Sequence, residues 1–246
     1  DIIRSDRYGS YPIRDYGERY ETEKNLIPTD VLPVEYIALY PSDSTSILHT
    51  RAIEYLRKRG LTDADFLLYR IGFCISGRYR GRIIIPVLRD GEVVYFIARL
   101  FFGYGIRYLN PQNELIHVHP ENLLFNWDIA SGTEVLKITE GVFDAIGLGE
   151  SATALFGKRV HEGQLRLLEA GSFERVELWL DSKAKDARIE KDEERIAFLL
   201  RDLGKPVTIH SLEYGDPGDL RMEEIPSRSR SGGTWTSFFS SKGVQR

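Results

Sequence analysis

Cysteine is almost missing from this chain of 246 residues: Cys74 stands alone. That excludes a disulfide framework and any cysteine-based zinc site within these residues, and it fits a reducing compartment. No apolar run approaches the roughly 18 residues that would mark a membrane-spanning helix, so no membrane partner is expected. The stretch from Asp1 to Tyr20 is polar and lacks the apolar centre of a signal peptide. Methionine is equally scarce. Met222 is the only one and the chain begins with Asp1, so further sequence is expected upstream. Lysine is missing between Arg70 and Leu109, where seven arginines face two acids. The net charge of −4 therefore hides a strongly basic stretch. From Glu134 to Asp219 the balance turns acidic. Such asymmetry suits a protein that holds phosphates on one half and metal on the other.

The rest is ordinary for a soluble globular protein, with 42% apolar and 28% charged residues. Residues 1–44 read as an N-terminal arm or linker, partly packed through Tyr36, Ile37 and Leu39. Residues 45–131 read as a small basic α+β subdomain. Leu48, Ala52, Ile53 and Leu56 share one helical face that stops at Gly60. Thr62 and Asp65 are spaced as a capping box for a second short helix. Two apolar segments then flank Asp90-Gly91, a strong hairpin signal, and Pro86 predicts a bend or an edge in the first of them. Residues 132–225 alternate strand and helix: strands over 134–139, 152–156, 175–180 and 207–212, helices over 142–148, 161–170 and 187–203. Alternation with short loops predicts an α/β fold, a mainly parallel sheet with helices on both faces. Residues 226–246, rich in Ser, Gly and Arg, are expected to form a flexible tail.

In an open parallel sheet, ligands bind beyond the carboxyl ends of the strands. Here those ends carry acids. Glu140 follows one strand, Asp181 another, and Asp216 and Asp219 a third, with Asp144 one helical turn after Glu140. A single acid after a strand is ordinarily a turn or cap residue. Three such sites on one sheet edge point instead to a shared hard cation, Mg²⁺ or Mn²⁺. Mg²⁺ keeps several waters and shares its shell with substrate phosphates, which suggests phosphoryl or nucleotidyl transfer. The spacing alone does not identify the reaction.

The order of motifs does more. Thr139-Glu140-Gly141-Val142-Phe143-Asp144 resembles the first motif of Toprim domains, and Leu180-Asp181-Ser182-Lys183 resembles the second, whose usual form is Asp-X-Asp. Upstream, Gly81-Arg82-Ile83-Ile84-Ile85-Pro86, Ala98-Arg99, Arg107-Tyr108-Leu109-Asn110 and Leu123-Leu124-Phe125-Asn126 resemble the catalytic core of DnaG-type primases of bacteria and phages. Phe156-Gly157, Gln164 and Asp216-Pro217 follow in the same order, so the resemblance spans about residues 48–222. It implies a DNA primase core that makes RNA primers on a single-stranded DNA template from NTPs, with a replicative helicase as partner and the bacterial or phage-infected cytoplasm as its place. It also implies roles. Glu140 and Asp181 would be catalytic, and Glu140, Asp181, Asp216 and Asp219 would hold Mg²⁺ or Mn²⁺. Arg82, Arg99, Arg107, Asn110 and Lys183 would bind nucleotide or template, with Asp144, Asp186 and Arg80 as secondary candidates. Tyr79, Tyr95 and Tyr108 are available to stack on bases, though strands favour tyrosine for their own reasons. Zinc would enter only through a domain not present in this chain.

Three departures stand out. Lys183 replaces the second Asp of the motif, a change of two charge units; at an effective dielectric near 20, each unit is worth about 4 kcal/mol at ~4 Å. The protein is then a natural variant with fewer metal ligands, an impaired copy that only binds single-stranded nucleic acid or a replication partner, or an enzyme in which Lys183 grips the triphosphate and Asp186 supplies a carboxylate. The last acidic loop reads Asp-Pro-Gly-Asp rather than Asp-Pro-Asp. The zinc-binding domain usual before such cores is not among these residues. A Toprim-type nuclease remains a third reading.

Overall fold

The structure, a computed structural model, describes residues 31–40, 45–112, 116, 118–180, 189–212, 215–221, 226–231 and 234–239. Two sheets organise it. The first is antiparallel, in the order β1 (Tyr36–Ala38), β2 (Gly72–Cys74), β3 (Arg82–Arg89), β4 (Glu92–Leu100). Asp90 (φ 55°) and Gly91 (φ 82°) both take the left-handed backbone that a tight hairpin between β3 and β4 requires. Their N–H groups donate to the two carboxylate oxygens of Asp128 at 3.0 and 2.9 Å. β3 is an interior strand, but β2 pairs only with Arg82, Ile83 and Ile84. Pro86 lies past that pairing, where its missing N–H costs nothing to the ladder.

Two helices cover this sheet. In α1 (Ile47–Arg57) the side chain of Ser46 caps the N-terminus and Leu48, Ala52 and Leu56 are buried. α2 (Asp63–Leu68) carries the capping box of Thr62 and Asp65 that its sequence predicts. A 3-10 turn at Pro120–Asn122 and a short α3 (Trp127–Ala130) lead to the second half.

The second sheet has six strands. β5 (Val135–Thr139), β6 (Ala152–Ala154), β7 (Arg175–Trp179) and β8 (Val207–Leu212) are parallel, and the full order is β10-β9-β8-β7-β5-β6. Between them run α4 (Val142–Leu148), α5 (Glu162–Ala170) and α6 (Ile189–Asp202). The period of two along a strand sends alternate residues to opposite faces. Leu136, Ile138, Val176, Leu178 and Ile209 pack with Leu168 of α5 and Ile196 and Leu200 of α6. On the other face, Val142, Phe143, Ala145 and Ile146 of α4 join Leu48, Leu56, Phe66, Ile83 and Ile85 in one core. That core crosses the expected boundary between residues 45–131 and 132–225. α4 is sandwiched between the two sheets and welds the halves together. Gln164, fully buried, adds a polar stitch: its amide donates to Leu123 O and Leu155 O, both at 2.9 Å.

Two expectations are corrected. Residues 31–40 are not all arm, because β1 pairs with β2 and Val31, Leu32 and Leu39 are buried. The tail is not all flexible, because β9 (Pro226–Ser231) and β10 (Thr234–Phe239) extend the parallel sheet in antiparallel fashion. β9 takes up the edge hydrogen bonds that β8 would otherwise leave open.

Candidate active site

The acidic side is built by backbone geometry first. β5 ends at Thr139, whose buried hydroxyl lies 3.0 Å from Gly141 O and 3.2 Å from Thr153 O. Gly157 N donates to Glu140 O at 3.1 Å. These contacts fix the turn that carries half-buried Glu140 into α4. Gly141 is the N-cap, and Asp144 lies in the first turn.

Asp216 reaches the same place through two glycines. A Cβ on Gly147 of α4 would fall 2.6 Å from the Cα of Gly218, so α4 and the 3-10 turn Pro217–Arg221 touch backbone to backbone. A Cβ on Gly218 would sit 3.2 Å from Asp144 Oδ1 and 3.3 Å from Asp216 Oδ1. The two carboxylates therefore flank one bare glycine. Asp219 is placed differently: it is exposed and its Oδ2 accepts from Asp216 N at 3.1 Å, so one of its carboxylate oxygens caps the turn. Thr139 pairs with Trp179, so β5 and β7 end level. Asp181, Lys183 and Asp186 lie outside the described residues. Among the described residues, no three acids, histidines or cysteines converge tightly enough to hold a metal. Asp144 and Asp216 nonetheless form a purely carboxylate pair, and the bare Gly218 leaves room between them. Both features fit a hard cation.

The basic side departs further from expectation. Arg82 is only 5% exposed. Its Nη2 donates to Ile106 O at 2.9 Å and its Nη1 to Ala98 O at 3.3 Å and Arg107 O at 3.5 Å. Burial pulls its pKa below the usual arginine value. A guanidinium spent on three carbonyls is a brace, so the expected phosphate contact is corrected to a structural one. Arg99 is also buried, with Nε donating to the Tyr55 hydroxyl at 3.0 Å and its guanidinium 4.9 Å from the ring centre of Tyr108. Arg107 and Arg80 are exposed. Asn110 hydrogen-bonds Tyr95, whose phenol burial pushes its pKa up. Tyr79 and Tyr95 are buried against Phe96 and Phe156, which leaves Tyr108 as the exposed member of the three.

One group escaped sequence reading. Arg51, Tyr55 and Arg59 recur every four residues along and just past α1, which places them on one face. Arg51 lies over Phe102 at 4.6 Å, and Arg59 over Tyr55 at 5.2 Å and Phe143 at 4.9 Å. The signal was the spacing, overshadowed by the apolar face of the same helix. With Arg99 and Tyr108 these residues form a strip of arginines and rings. It ends at Phe143, the residue before Asp144.

No family model matches the sequence and no curated protein does. Solved structures do match. The structure of a DnaG catalytic core superposes with a TM-score of 0.63 at 21% identity, covering 73% of this chain and 71% of that one. The E. coli primase catalytic core gives 0.61 at 20%, with the same coverage of 73% and 71%. A DnaG primase catalytic domain bound to ssDNA gives 0.59 at 21%, covering 72% and 70%. Parallel sheet, antiparallel sheet and connecting helices thus take one known arrangement, and this chain has the fold of the DnaG-type primase catalytic core.

Proposed function

We propose that the chain is a DNA primase core of the Toprim type, which synthesises RNA primers on single-stranded DNA. The observation that carries this reading is the strip of arginines and aromatic rings that ends beside the Asp144–Asp216 pair. It gives a polyanion a path to a carboxylate site, across a core that holds both sides rigid relative to each other. The fold supports it, and so does the neighbour whose structure contains ssDNA.

In this reading Glu140, Asp181 and Asp216, with Asp144 beside them, hold Mg²⁺ or Mn²⁺. The ion would supply charge neutralisation at the triphosphate and acidify the attacking hydroxyl. The chain's own groups do the rest. Exposed Arg107 and Arg51 bind phosphate oxygens, a task that suits the planar guanidinium fork. Tyr108 offers a ring face to a base. Glu140 takes the proton from the primer 3′-hydroxyl as that oxygen bonds to the α-phosphorus and pyrophosphate leaves. Lys183, at the position of the second Asp in the usual Asp-X-Asp pattern, replaces a metal-binding charge with one that attracts the triphosphate directly. A helicase partner fits the likeness, at a TM-score of 0.52 and 16% identity, to the primase fragment of the bacteriophage T7 primase-helicase protein.

The test is primer synthesis from labelled NTPs on single-stranded DNA with Mg²⁺ or Mn²⁺, run beside Lys183→Asp. Short RNA from both proteins is the expected result. Product from Lys183→Asp alone would make this an impaired core that binds template without extending it. DNA cleavage without NTPs would favour the nuclease reading.

A further inference from the structure

Residues 101–108 read Phe-Phe-Gly-Tyr-Gly-Ile-Arg-Tyr, and they form a finger beyond the end of β4. Its base is a hairpin: Leu100 N donates to Arg107 O at 3.0 Å, and Arg99 bridges Tyr108. Its root is fixed from below. Phe101 N and Phe102 N both approach Gly81 O, at 3.0 and 3.2 Å. Gly81 itself is indispensable there, since it has φ 71° and a Cβ on it would fall 2.3 Å from Phe102 O. The Arg82 brace then holds Ile106 O and Arg107 O.

The tip contrasts with this well-anchored root. Tyr104 is fully exposed, Ile106 is 63% exposed and Phe102 36%. Three large apolar side chains on so short a loop are unusual on a surface with nothing to bind. Their chemical setting narrows the occupant. No acid occurs between Glu92 and Glu114. Arg51 lies over the Phe102 ring, and exposed Arg107 closes the finger. A bare ring at Tyr104 on a rigid support, in a stretch of chain whose charges are all arginines, is what stacking on an unpaired base beside phosphates calls for.

We propose that Tyr104, at the tip of the finger braced by Arg82, stacks on an unpaired base of single-stranded DNA template, with Phe102 and Ile106 as its apolar flank. The finger lies at the far end of the arginine–aromatic strip from the acidic pair. It engages template away from the reacting nucleotides and sets how the strand enters. This inference rests on the functional reading above and goes beyond it, because it assigns a base contact to a residue outside the acidic site and outside the arginines.

The experiment measures fluorescence anisotropy of the full chain with a labelled oligodeoxythymidylate and with an abasic strand of equal length. Wild type, Tyr104→Phe, Tyr104→Ala and Arg107→Ala are compared. Tyr104 touches too little to threaten folding. Stacking predicts that Tyr104→Ala binds the base-bearing strand roughly fivefold more weakly or worse and the abasic strand as wild type does. Tyr104→Phe keeps wild-type affinity. Arg107→Ala weakens both strands alike and lowers the salt slope by about one. Wild-type binding by Tyr104→Ala on both strands overturns the proposal and leaves the finger to a protein partner. An equal loss on both strands also overturns it, since a base would then play no part. A wild-type chain that binds neither strand sinks the primase reading itself, a result distinct from the other two.

Discussion

Replacing Arg82 separates two roles that its sequence context leaves entangled. As a phosphate ligand its loss would cost DNA affinity; as a brace its loss costs stability. The structure sets the size of the second effect. Ala98 O also receives Leu109 N at 3.0 Å, and Arg107 O also receives Leu100 N at 3.0 Å, so both keep a donor without the guanidinium. The bond to Ile106 O, the shortest at 2.9 Å, is the one at stake. A hydrogen bond to a charged group contributes about 1.5–3 kcal/mol. Against this, Arg82→Met no longer buries a cation, so the net loss settles at about 1–3 kcal/mol. For a chain of this size that lowers Tm by about 3–10 °C. Arg82→Lys keeps the charge but not the fork, and should fall between wild type and Arg82→Met. Thermal denaturation reads the first effect and the salt dependence of DNA affinity reads the second. The reasoning is refuted if Arg82→Met melts within about 1 °C of wild type while its salt slope falls by about one, because phosphate contact would then be the role.

Gly218→Ala is expected to weaken Mn²⁺ binding measured by calorimetry, since its methyl group would press on both Asp144 and Asp216 from 3.2 and 3.3 Å. The accompanying overpacking cost is about 1–3 kcal/mol, and unchanged Mn²⁺ affinity would remove the pair from the metal site. His210 predicts a pH dependence. Its ring stacks on Trp179 at 3.9 Å, and burial lowers its pKa from 6.5 to about 4, with Lys137 adding to the shift and Glu177, 3.7 Å away, opposing it. The unfolded chain binds the proton more readily, so stability is complete above pH 6.5 and drains away toward pH 4, by about 3 kcal/mol at most. His210→Phe keeps the stack and should flatten that slope in urea denaturation; a slope equal to wild type would assign it to other groups.

The sequence is a good guide where one physical signal dominates. The hairpin at Asp90-Gly91, the capping box of Thr62 and Asp65 and the alternation after residue 132 all rest on local chemistry, and all reappear in the structure. It misleads where tertiary context overrides local character. Arg82 reads as a nucleotide or template ligand, yet carbonyls from three later residues close around it. β9 reads as polar linker because Ser and Arg dominate it, and its strand character comes from the open edge of β8. Among the acids, the position after a strand marks Glu140 correctly as an edge residue. It does not reveal that Gly147 and Gly218 draw Asp216 against Asp144, because a backbone contact between distant glycines leaves no periodic trace.

The position of α4 between the two sheets has a thermodynamic consequence. Its Val142, Phe143 and Ile146 are buried by side chains from the basic half, while its first turn carries the acids. The halves therefore share one unfolding equilibrium. A ligand bound at the carboxylates shifts that equilibrium for the whole unit, and raises the share of molecules whose arginine strip is intact. Divalent ion and polyanion are thus coupled even if they never touch. Cutting the chain near residue 131 would uncouple them by uncovering the apolar side of α4.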